Sequence, residues 1–155
     1  MTDIKQLSGL IKSIQLEDIK LLESSCRNFA KEPGEGAEIN VALNYSAKAI
    51  LRSAEAFSVL ADIEVLLTPE GAEDADRARV WARFELGYSL HQQTELSEGL
   101  LEEFAKTNGV FNAWSYWREF VQSTLLRMEL PPLTLPLYRL PTGTARPVPS
   151  KSKAR

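Results

Sequence analysis

EINVALNYSAKAILRSAEAFSVLADIEVLLT, residues 38–68, alternates apolar and polar side chains twice over. In 38–52 the odd positions are Ile39, Val41, Leu43, Tyr45, Ala47, Ala49 and Leu51, set against Glu38, Asn40, Asn44, Ser46, Lys48 and Arg52. In 55–68 the odd positions Phe57, Val59, Ala61, Ile63, Val65 and Leu67 oppose Ser58, Asp62, Glu64 and Thr68. Side chains of an extended chain point to opposite faces in turn, so this period of two predicts two strands, each with one apolar face. The link at Arg52-Ser53-Ala54 is short enough to make them a hairpin. Working outward, 77–91 repeats the pattern, with Ala78, Val80, Ala82, Phe84, Leu86, Tyr88 and Leu90 facing away from Arg77, Arg79, Arg83, Glu85, Ser89 and His91. Residues 14–30 alternate less cleanly, and the doublet Leu21-Leu22 breaks the phase as a bulge would. One apolar and one polar face per strand mark an antiparallel sheet covered on one side. Trp81, Leu60 and Leu66 fall on the polar face, where exposure is expected.

The flanks are helical. Ile4, Leu7, Leu10 and Ile11 lie behind a Thr2 or Asp3 cap. After His91 the period lengthens: Thr94 or Ser97 can cap a helix running to about Lys106, and Asn108-Gly109 reads as its stop. A second helix carries Phe111, Trp114, Trp117, Val121, Leu125 and Met128 at three- and four-residue steps and ends by Pro131-Pro132. Leu133–Tyr138 is extended and apolar. Strands followed by helices give an α+β fold: a four-stranded antiparallel sheet, one face under C-terminal helices, with a short N-terminal helix. The expected organisation is one domain over 1–140 and a Pro-rich, basic, disordered tail over 141–155.

Composition removes several classes. At 155 residues, 44% hydrophobic and 25% charged, the chain suits one globular domain. Cys26 is the only cysteine and His91 the only histidine, so neither a disulfide framework nor a Cys/His zinc site is expected. No apolar run approaches a membrane span, and the N-terminus has no apolar signal core, so a cytoplasmic location is expected. Residues 1–140 carry a net charge of −7 and the last fifteen +4, and an acidic body argues against nucleic acid. No Gly-rich phosphate loop, triad or calcium-loop spacing is present. Neither an enzyme nor a cofactor is expected.

What is unusual is the aromatic density of 104–138: Phe104, Phe111, Trp114, Tyr116, Trp117, Phe120 and Tyr138 among many leucines. One helix cannot bury rings on several sides against one sheet. The surplus therefore packs a subunit interface or lines a groove for apolar polypeptide, and both can hold.

Residues 108–137, NGVFNAWSYWREFVQSTLLRMELPPLTLPL, resemble the most characteristic stretch of the SecB family of export chaperones and their SecB-like relatives. There an aromatic run ending in Tyr-x-Arg-Glu, here Tyr116-Trp117-Arg118-Glu119, opens the long helix. The helix ends in a basic residue, here Arg127, and Pro-x-Leu-x-Leu follows, here Pro131-Pro132-Leu133-Thr134-Leu135. The Pro-Pro-Leu-Thr-Leu form is similar to chaperones attached to toxin–antitoxin modules. The resemblance implies a cytosolic, ATP-independent holdase, a tetramer built as a dimer of dimers, and apolar grooves for unfolded or nascent chains. On that basis Phe84, Leu86, Tyr88, Phe111, Trp114 and Trp117 are candidates for the groove or its support. Tyr116, Phe120, Val121 and Leu125 are candidates for the oligomer interface. Asp18 matches one acidic position that family members use to dock the SecA motor. Leu22, Trp81 and Arg83 stand where a further acid, a leucine and an acid are expected, which points away from SecA and toward a specific client such as an antitoxin. The alternative is an adaptor that uses the same surface for one folded partner.

Overall fold

The computed structural model of the chain describes residues 3–136, 138 and 150–152. Helix α1 (Ile4–Ser13) is capped by Asp3, whose carboxylate accepts from the Lys5 amide at 3.1 Å. Four long strands follow: β1 (Ile14–Arg27), β2 (Ile39–Ser53), β3 (Ala56–Pro69) and β4 (Ala78–Leu90). All pairings are antiparallel, in the order β1-β4-β3-β2, so β2 and β3 form the expected hairpin and β1 pairs with β4. The phase break at Leu21-Leu22 is a register shift between Leu21 and Glu23, and a second lies between Leu16 and Asp18. Each shift adds an unpaired residue and turns the following side chains over.

Helix α2 (Glu98–Phe104) is capped by Ser97, whose hydroxyl accepts from the Leu100 amide at 3.2 Å. The expected stop at Asn108-Gly109 is absent. A π turn, Ala105–Gly109, leads directly into α3 (Val110–Arg127), and Gly109 keeps helical angles (φ −60°, ψ −51°). The glycine has a packing role: a Cβ there would stand 2.8 Å from Val59 Cγ1, so its absence lets the helix lie close on β3. Helix α3 ends with Glu129 in the left-handed region (φ 56°). The Leu130 amide donates to Leu125 O and the Glu129 amide to Leu126 O, a Schellman closure.

A short strand β5 (Ser150–Ser152) pairs with Ile39–Val41 of β2. The expectation of a disordered tail over 141–155 otherwise lies outside the described residues. The core sits between the helices and the odd face of β3 and even face of β4. Phe57, Val59, Ile63, Val65, Val80, Leu86, Phe104, Trp117, Val121 and Leu125 are fully buried there. On the other face, Leu66 is buried and Leu60 and Trp81 are half-buried, against the expectation of exposure. Leu66 lies in register between Ala42 and Arg79, and long cationic side chains on such a face cover apolar neighbours.

Candidate functional site

Helix α3 buries the side formed by Val110, Ala113, Trp114, Trp117, Val121, Thr124 and Leu125. Phe84, Leu86, Tyr88 and Trp117 all lie beneath it in the core, so they support a surface rather than line one. Val121 and Leu125, expected at an interface, are fully buried within the chain; helical spacing placed them correctly with Trp117 but on the side that meets the sheet. Tyr116 is half exposed. Phe120 is partly buried and meets Phe84 edge-on at 6.4 Å and Trp117 in a stack at 6.2 Å.

The side of α3 toward β2 gathers rings at the surface. Trp114 lies 6.0 Å from Tyr45 of β2 and 5.1 Å from Tyr138, Tyr45 meets Tyr138 edge-on at 5.6 Å, and Phe111 lies 6.3 Å from Tyr138. Leu133 and Leu135 are buried, which holds the extended segment after α3 in place, and the Trp114 indole donates to Pro136 O at 2.9 Å. Tyr138 donates to Lys106 O at 3.4 Å; burial, with Tyr45 adding to it, holds its phenol above the ordinary range. Phe111 remains 47% exposed and Tyr45 36%, so the cluster is rooted in the core but open outward. Phe111, Asn112, Trp114, Ser115, Arg118 and Tyr138 surround a cavity of about 280 Å³. Alternation puts Tyr45 on the covered face and Tyr138 belongs to the aromatic-rich stretch 104–138, but neither was among the groove candidates.

The opposite face of the sheet is charged and internally paired. Arg83 donates twice to Asp62, at 2.7 and 2.9 Å, and Arg79 donates to Glu64 at 2.8 Å and to Ser25 at 2.9 Å. Glu85 is shared by Arg52 and Lys20. Trp81 lies between the two arginines, 5.8 and 5.7 Å from its ring. Asp18 lies on this face, opposite Gly87, where any Cβ would collide with its carboxylate, and Lys20 stands 3.7 Å from it. Cys26 and His91 are exposed, and among the described residues no group of His, Cys, Asp and Glu could hold a metal.

No protein-family model and no curated protein matches the sequence. By structure the chain has the SecB-like fold: the antiparallel four-stranded sheet with a short N-terminal helix and the long helix across one face. The likeness is to the Rv1957 SecB-like chaperone of Mycobacterium tuberculosis, solved in complex with a ChAD peptide from the Rv1956 HigA1 antitoxin. The TM-score is 0.78 and the identity 24%, over 89% of this chain and 99% of that one. A protein of unknown function from Streptococcus agalactiae aligns far less well, at 9% identity and a TM-score of 0.41, over 79% of this chain and 96% of that one.

Proposed function

We propose that this protein is an ATP-independent holdase that binds extended apolar polypeptide against the ring-lined flank of α3. The observation that carries this reading is the cluster of Tyr45, Phe111, Trp114 and Tyr138, uncharged rings anchored below and open above. Such a surface gains by removing apolar side chains from water, and it needs no catalytic group and no cofactor. The SecB-like fold supports it, as does the antitoxin peptide held by the mycobacterial relative. A dedicated client of that kind fits better than delivery to the SecA motor. Leu22 stands where the resemblance expects a second acid, and Arg83 on the open face is already tied to Asp62. Cytoplasmic location and assembly as a dimer of dimers belong to the same proposal. The largely exposed fourteen-residue edge strand β1, with Leu16, Leu21 and Leu22 open, suits a second copy. Tyr116 and Phe120 would then serve the assembly, and Phe111 and Trp114 the client.

The test is light scattering of an unrelated unfolded protein as it aggregates, with the full chain added and no ATP. Suppression is expected, and Phe111→Ala should weaken it. If the folded chain has no effect on any unrelated client, the holdase reading falls and the adaptor with one dedicated partner takes its place.

A further inference from the structure

We propose that Arg118 reads the client, selecting segments in which a carboxylate lies two residues from the apolar side chain seated on Trp114; this rests on the holdase reading. Arg118 borders the cavity formed with Phe111, Trp114 and Tyr138. Its Nε is buried and has no hydrogen-bond partner, and among the described residues Arg118 makes no ion pair. Arg52, Arg79 and Arg83 each hold a carboxylate. Arg77 shares the buried, unpartnered Nε, but its Nη1 lies 3.6 Å from Asp74, so Arg118 alone among the described residues combines such an Nε with the lack of an ion pair. The Nε–H of this half-buried guanidinium has given up water without a replacement, while its outer nitrogens remain free to meet an anion at the cavity. The group that repays this is a carboxylate, whose two oxygens match the planar fork of N–H donors.

Spacing sets the sequence rule. Trp114 and Arg118 are four residues apart on one helix, a rise of about 6 Å. Same-face side chains of an extended peptide are two residues apart, about 6.6 Å. An extended client lying along α3 thus places an apolar residue on Trp114 and its i±2 neighbour at Arg118. The aromatic floor gives affinity to any apolar segment, and the arginine ranks those segments.

The experiment uses the full-length protein and labelled ten-residue peptides with a central Phe. Glu, Gln or Lys is placed two residues before or two residues after it, and binding is read by fluorescence anisotropy. In at least one of the two orders the Glu peptide should bind about tenfold tighter than the Gln peptide, and the Lys peptide weakest. Arg118→Gln should bring Glu and Gln to equal affinity, with the Glu peptide losing far more than the Gln peptide. Arg118→Lys should keep part of the preference, because a point charge lacks the fork. Equal Glu and Gln affinities in the native chain, in both orders, overturn the inference, and so does a Glu preference that survives Arg118→Gln. In either case the holdase reading stands as long as Phe111→Ala still weakens every peptide. If no peptide binds and aggregation of unfolded protein is not suppressed, that reading falls together with this one.

Discussion

The two faces of the sheet solve different problems with the same strands. On the covered face, β3 and β4 present Phe57, Val59, Ile63, Phe84, Leu86 and Tyr88, and the helices close over them. On the open face the same strands present Asp62, Glu64, Arg79 and Arg83, joined across the strands in pairs. The open face is charged but largely satisfied, and a partner must break existing pairs to gain new ones. The covered face holds almost no charge but overflows at its β2 margin, where rings reach the surface beside Arg118, which has no ion pair among the described residues. Bonding is thus least complete at the margin of the apolar face, which is where the proposed client would bind.

The comparison is tested hardest at Trp117. Trp117→Ala should cost about 3–5 kcal/mol in chemical unfolding, the range for a large buried aromatic. Trp117→Phe should cost much less, because the buried indole N–H has no partner to lose. Phe111→Ala, on the same helix but half exposed, should change stability by less than about 1 kcal/mol. Equal losses at Trp117 and Phe111 would erase the distinction between floor and margin.

The second test is alkaline pH. Burial pushes the Tyr88 phenol up to about 12, opposed by Asn112, whose side-chain amide donates to it at 2.9 Å. An unfolded tyrosine ionises near 10, so between about 10 and 12 the folded state retains a proton that the unfolded state has released. Stability is therefore full below pH 10 and falls as pH rises, by up to about 1.4 kcal/mol per unit for this group. Tyr88→Phe should flatten that decline in urea unfolding at alkaline pH. A decline of unchanged steepness would mean that the covered face does not hold Tyr88 neutral.

A smaller effect is expected at Gly109. Gly109→Ala gains helix propensity but drives a Cβ into Val59, a β-branched side chain buried on a strand with little freedom to turn. We expect a net loss of about 1–3 kcal/mol. The double variant with Val59→Ala should cost less than the two single variants added together, read from thermal unfolding, because the clash is removed while the loss of the buried valine remains. A stabilised Gly109→Ala would mean that Asn108-Gly109 serves only local helix chemistry. The smallest effect belongs to the open face. A double-mutant cycle on Asp62→Ala and Arg83→Ala should give a coupling of about 0.2–1 kcal/mol that shrinks with salt, since both side chains are about one-third exposed.

The strands were legible almost to the residue because period-two patterning reports which face is buried and survives edge exposure. The bulge at Leu21-Leu22 was legible for the same reason. Helical spacing grouped Trp114, Trp117, Val121 and Leu125 correctly but could not say which side of α3 meets the sheet, so core residues were read as interface. Asn108-Gly109 misled because glycine serves both chain reversal and close approach, and the distinction depends on Val59, fifty residues away. Tyr138 was visible in the aromatic-rich stretch 104–138, but nothing local marked it as a partner of Tyr45, which lies on a distant strand. That Arg118 has no ion pair among the described residues is a property of its surroundings, and no local pattern encodes it.

The π turn at 105–109 carries a consequence for chain length. An α-helix turns about 100° per residue, and a π turn accommodates one residue more than regular winding needs. A π turn winds its five residues through about the angle that four sweep in an α-helix, so the extra residue is absorbed and α3 keeps the facing that regular winding from α2 would give it. Deleting Lys106, Thr107 or Asn108 would therefore leave an ordinary helix with Phe111, Trp114 and Arg118 still facing the same way. A deletion inside α3 has no such absorber and would turn every residue beyond it by about 100°. The turn is a slack point at which the chain can change length by one residue while the proposed binding margin stays in place.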